Sequence, residues 1–167
     1  MKHFIMCVFL FAFVTGEAMA ACTSGTRIQG KGNVLGKLLN GYTVCKASTN
    51  PGWVWEWQEF HQGNNKGGDL IDYKHGPSHP TDPTTTVGSW SITTIGQGND
   101  PIVETVTYNY GSGGSYTFSV WDQGNGGPYN FCGTSSGATD VLGATLVPGS
   151  NGCSGGSSPA ARGRGRN

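Results

Sequence analysis

From residue 33 to residue 146 the chain runs in short apolar segments, several alternating with polar positions at a period of two, and glycine, proline, asparagine or serine closes each one. Such a pattern predicts strands with one buried face. The segments 33–39, 42–47, 53–62, 68–74, 88–95, 102–110, 116–122 and 129–133 give eight strands, and 138–146 gives a ninth that can replace one of the first two. No amphipathic helix is evident. The clearest hairpin sets Val103, Thr105, Thr107 and Asn109 against Tyr116, Phe118 and Val120 across Gly111-Ser112-Gly113-Gly114, whose glycines can adopt positive φ. A second turns at 123–127 and leads to Tyr129 and Phe131. Consecutive short strands with tight turns predict an antiparallel meander, and closing it into an up-and-down β-barrel of about eight strands removes exposed edges. A β-sandwich is the alternative.

Ahead of this region, Lys2 and His3 lead into an apolar run from Phe4 to Val14 and then into Ala18-Met19-Ala20-Ala21-Cys22. The order basic, apolar, small is that of a secretory signal peptide occupying 1–20, which predicts an exported protein, periplasmic or extracellular. The run is about half the roughly 20 residues that span a bilayer, and no later one is longer, so no transmembrane segment is expected. Met19-Ala20-Ala21-Cys22 is also an imperfect lipobox; read that way, Cys22 carries a lipid anchor and the protein is an outer-membrane lipoprotein. Cysteine arithmetic favours ordinary cleavage. Removing Cys7 leaves Cys22, Cys45, Cys132 and Cys153, an even set suited to an oxidising compartment. Three connectivities are open to them; Cys22 with Cys45 and Cys132 with Cys153 is preferred because each pair closes a short local loop.

What remains suits one domain, 21–147, followed by a Gly/Ser/Arg-rich tail, 148–167, tied down only at Cys153. Basic and acidic residues balance at 10 each, and Arg162, Arg164 and Arg166 lie in the tail, so a basic face for nucleic acid is not indicated. Glycine, 29 of 167 residues, has no fixed period, which argues against collagen-like or β-helix arrays.

Trp53, Trp55 and Trp57 alternate with Val54, Glu56 and Gln58, placing three indoles on one strand face. The stripe serves either as core, each ring burying on the order of 200 Å², or as a stacking wall for a flat or sugar-like ligand. Glu56 and Glu59 fall on opposite faces, against a paired-carboxylate site on that strand. The segment Asp69 to Pro83 gathers acids, His75, His79 and the stiffening prolines Pro77, Pro80 and Pro83. His61, His75, His79 and Asp82 are of metal-ligating type but match no zinc spacing, so no metal and no cofactor is assigned. A rigid loop with Asp82 capping a turn before Pro83 accounts for the segment. With no G-x-S-x-G elbow, H-E-x-x-H or phosphate loop, no catalytic residue is assigned. The strand-borne carboxylates open to glycoside hydrolysis are Glu56, Glu59, Asp72 and Glu104.

Leu38 to Cys45, Trp57 to His61, Gly68 to Lys74, Asp82-Pro83 and Val87 to Trp90 together resemble a group of small exported bacterial proteins of unassigned activity. The wider series is similar to lipocalin-like (calycin) barrels from about Leu35 to Gly133: an L-x-G-x-T strand, a Trp-bearing strand, a strand led by Gly-Asp, and a G-x-W strand before Tyr-rich hairpins. In typical lipocalins the G-x-W lies on the first strand, whereas Gly88 and Trp90 come mid-chain. The resemblance implies an eight-stranded barrel whose interior holds one small ligand. These readings point to a non-catalytic exported barrel that binds a small molecule or glycan, lined by Trp53, Trp55, Trp57, Tyr73 and Trp90. Two alternatives belong to other classes: an extracellular structural or adhesive protein that self-associates, and a hydrolase built on the acidic and histidine loop 69–82.

Overall fold

In the computed structural model, which describes residues 22–49, 55–72, 85–96 and 102–153, the predicted meander closes on itself. The elements are β1 (Thr26–Arg27), α1 (Val34–Leu39), β2 (Tyr42–Ala47), β3 (Trp55–Asn64), β4 (Gly67–Asp72), β5 (Thr85–Ile95), β6 (Val103–Asn109), β7 (Ser115–Asp122), β8 (Tyr129–Gly133) and β9 (Val141–Pro148). Strands β2 to β9 pair antiparallel in sequence order, and β9 returns to β2 with Val44 opposite Leu146. The result is a closed eight-stranded antiparallel barrel, consistent with a lipocalin-like one. Strand β1 lies outside the ring, its Thr26 and Arg27 opposite Asp122 and Trp121 of β7. Register shifts between Lys46 and Ala47, Leu70 and Ile71, and Tyr129 and Phe131 bend the strands as closure demands. The turn at 123–127 is held by Asp122, whose carboxylate accepts from the backbone N–H groups of Gly124 at 2.8 Å and Gly127 at 3.0 Å.

The stretch 33–39, read as a strand, is instead the helix α1. With β9 filling the place beside β2, the ring has no vacant edge for it. Its leucines are better satisfied by helical spacing: Leu35 and Leu39, four apart, are both fully buried while Lys37 faces out. The helix plugs one end of the barrel. Glu104 on β6 accepts a hydrogen bond from the Leu35 backbone N–H at 2.7 Å, satisfying one of the donors a helix start leaves over. Gly36 is required there, because a Cβ would overlap the Asn65 carbonyl in the β3–β4 turn. Above α1 the core is Val44, Leu70, Trp90, Val106, Val120, Phe131 and Ala144.

The disulfides join Cys22 to Cys132 and Cys45 to Cys153, not Cys22 to Cys45 and Cys132 to Cys153. Short loop length is the wrong criterion in a closed barrel, where Cys22 and Cys153 lie beside strands remote in sequence. Cys45 and Gln58 are partners on β2 and β3, and the chain leaving β9 crosses them. Along that path Gly149 N–H donates to the Gly41 carbonyl at 2.8 Å, the Thr43 hydroxyl donates to the Gly149 carbonyl at 2.8 Å, and Cys153 N–H donates to Gln58 Oε1 at 2.6 Å. The segment 148–153 is therefore held to the barrel at Gly149 as well as at Cys153. Two disulfides fit a non-cytoplasmic fold. Among the described residues no helix is long and apolar enough to cross a membrane. The signal-peptide span 1–20 and the rest of the tail lie outside the described residues.

Candidate functional site

Strand alternation decides what faces inward. Val44 of β2 is opposite Glu59 of β3, so Glu59 and His61 share the inner face; across the next seam Glu59 is opposite Asp72 and His61 opposite Leu70. On β6 the same face carries Glu104, Val106 and Tyr108, with Tyr110 one step past the strand, and Tyr116 and Phe118 of β7 stand opposite Tyr108 and Val106.

Where α1 does not reach, these side chains surround a cavity of about 390 Å³. Its walls are Tyr108, Tyr110, Tyr116, Phe118, Phe131 and Val141; Gly137 and Thr139 of the β8–β9 loop form the rim, and among the described residues Glu59 supplies the one carboxyl lining it. Ring centroids lie 5.7 Å apart for Tyr108 and Phe118 and 6.2 Å for Tyr110 and Tyr116, so the wall is a continuous aromatic surface. The tyrosine hydroxyls are engaged. Tyr116 donates to the Gly113 carbonyl at 2.8 Å, and Tyr110 donates to both carboxylate oxygens of Glu59, at 2.9 and 3.0 Å. Tyr108 lies 3.0 Å from Nε2 of His61, in the layer below.

This burial reshapes the acid–base behaviour of the group. Burial pushes the Glu59 carboxyl up to about 7; the Tyr110 hydrogen bond partly opposes that and the charge of Asp72 adds to it. His61, fully buried edge-on to Trp90, is pushed down to about 4 by burial, with the backbone carbonyls of Glu59 and Tyr42 pulling the other way, so it is neutral at physiological pH. Burial, and then the nearby Glu59 charge, push both Tyr108 and Tyr110 well up, so they remain protonated donors. The cavity thus holds a carboxyl poised to change charge near neutrality, inside an aromatic wall.

The residues singled out in the sequence are placed differently. Trp90 lies in the core, where its Nε1–H donates to the Gln62 carbonyl at 3.2 Å, and is not among the cavity residues. Trp55 is half-buried and also absent from the lining. Trp53, Tyr73 and the side chain of Trp57 lie outside the described residues, as do His75, His79 and Asp82. Of the four metal-type residues only His61 is described, and among the described residues no three His, Cys, Asp or Glu side chains gather as metal ligands. The sequence reading missed the tyrosine and phenylalanine wall, although its residues stand on the two hairpins that were most legible. Glu59 and Asp72 stand among the strand-borne carboxylates named from the sequence, but only Glu56 and Glu59 are compared there as a pair, while the carboxylate that Glu59 meets, Asp72, is across the seam. Compared with family profiles, curated proteins and solved structures, the chain finds no match.

Proposed function

We propose that this barrel binds a small molecule in its open end and works outside the reducing cytoplasm. The observation carrying the reading is a cavity of about 390 Å³ walled by five aromatic rings around the Glu59–Tyr110 pair. Its size falls within the range of small-molecule sites, and a largely apolar wall with very few oriented polar groups is how such sites combine affinity with orientation. The two disulfides support a life in an oxidising compartment. The occupied edges of β2 to β9 weigh against an adhesive protein that grows by strand addition, since a closed ring offers no long free edge.

The test is titration with N-phenyl-1-naphthylamine, a neutral dye that fluoresces in apolar surroundings. Saturable binding with one dye per chain is expected, and Thr139→Trp, which places an indole on the exposed rim, should abolish it while leaving the circular dichroism spectrum and thermal midpoint in place. Dye binding that never saturates, or that Thr139→Trp leaves untouched, would refute the reading.

A further inference from the structure

We infer that the ligand of this cavity is an organic ammonium ion, N-methylated rather than primary, seated with its charge against Glu59 and its carbons against the rings of Tyr108, Tyr110, Tyr116 and Phe118. This rests on the small-molecule reading above and gives it a chemical class.

The argument begins with sign. A carboxylate inside an apolar wall is costly unless something positive meets it, and the described surroundings of Glu59 supply nothing positive. Across the seam from β3 stands Asp72, a second acid; from β6, β7 and the turn between them come the protonated phenols of Tyr108 and Tyr110 and the ring of Tyr116. On β3 itself His61 is neutral and bound to Tyr108. On β2, Lys46 turns its Nζ to the Leu142 carbonyl at 2.8 Å. Among the described residues, then, Glu59 lines the cavity with no cationic side chain beside it. Aromatic faces are the second half of the argument, because their negative quadrupoles attract cations and make up for lost water.

Hydrogen-bond capacity then decides between kinds of ammonium. A primary ammonium brings three N–H donors. Of the wall's polar groups, the Tyr108, Tyr110 and Tyr116 hydroxyls are engaged with His61, Glu59 and the Gly113 carbonyl, and a phenol oxygen that has given its proton is left as a weak acceptor only. Among the described residues Glu59 alone lines the cavity as a carboxyl acceptor, so a methylated ammonium, with few donors or none, leaves less unsatisfied.

The experiment compares two ligands of one shape. Benzyltrimethylammonium and its neutral carbon isostere neopentylbenzene are each used to displace N-phenyl-1-naphthylamine from the intact, oxidised protein, and the ratio of their inhibition constants is read. The cation should win by at least about tenfold at about pH 8, and its advantage should shrink to about threefold or less at about pH 5.5, where Glu59 is protonated. Glu59→Gln should bring the ratio near the low-pH value at both pH values. The pH series on the unaltered protein keeps the test decisive if that variant fails to fold. A ratio near one at about pH 8, or a preference for neopentylbenzene, would overturn the ammonium assignment while leaving the small-molecule reading intact. Failure of the dye to bind at all would sink both.

Discussion

Replacing Glu59 with glutamine isolates a proton that the fold holds more tightly than the unfolded chain does. Its carboxyl is pushed from an ordinary 4.5 to about 7, chiefly by burial. Between those values the native state keeps a proton that the unfolded chain has released, so Glu59's contribution to stability is complete below about pH 4.5 and is lost as pH rises through about 7. The displacement corresponds to about 3 kcal/mol. His61, two residues along the same strand, behaves in the opposite sense. Pushed down from 6.5 to about 4 by burial, it contributes fully above about 6.5 and loses that as pH falls through about 4. Across roughly pH 4.5 to 6.5 the two oppose each other, so they leave the parent protein's stability nearly flat there. Glutamine keeps an acceptor for the Tyr110 hydroxyl and cannot ionise. The difference in unfolding free energy, variant minus parent, should therefore rise by about 3 kcal/mol between about pH 4.5 and 7 and level off beyond. Urea unfolding followed by tryptophan fluorescence, with the disulfides intact, measures it. A difference that does not change with pH, or that grows toward acid, would refute the claim that Glu59 is buried against an apolar wall.

Two further outcomes test the scaffold. Replacing Cys45 and Cys153 together with serine removes a cross-link of sequence separation 108, and should cost on the order of 3–4 kcal/mol in guanidinium unfolding, with early proteolysis after Pro148 as its local sign. Glu104→Ala strips the acceptor from the start of α1 and leaves a gap in the floor; a loss of about 2–3 kcal/mol is expected in thermal unfolding, and an unchanged midpoint would mean that the helix is not held through Leu35.

The strands were legible because their periodicity records burial on one face, and the barrel followed from their number and short turns. The helix was not, because Val34 to Leu39 is a stretch of only six residues, with leucines on both sides of Lys37, that satisfies either period, and only the occupied edge of β2 excludes the strand. The disulfide pairing depends on ring closure, which brings Cys153 to β2 and Cys22 to β8, whereas loop length along the sequence points elsewhere. The cavity was hidden for a related reason. Tyrosine and phenylalanine at period two read as core on any strand, and whether such rings meet each other or enclose space depends on how far α1 fills the interior. The Trp stripe drew attention by its size, yet Trp90, the one tryptophan both singled out and fully described in the core, is occupied with His61 and the Gln62 carbonyl.

Strand β9 pairs with β8 on one side and β2 on the other, so it is the stave that completes the ring. It is also the last strand of the barrel in the chain. Until Pro148 has been synthesised and delivered, β2 and β8 stand as open edges, and the seam between β2 and β9 joins residues about as far apart in sequence as the domain allows. Such non-local closure is slow relative to the local hairpins, and the waiting edges are where a partly folded chain would pair with its neighbours. Cys153, which follows β9, is tied to Cys45 on β2 after the chain has crossed over from that seam toward β3. Their oxidation therefore acts as a latch on the final step of folding, and a chain denied an oxidant is expected to accumulate as an unclosed meander.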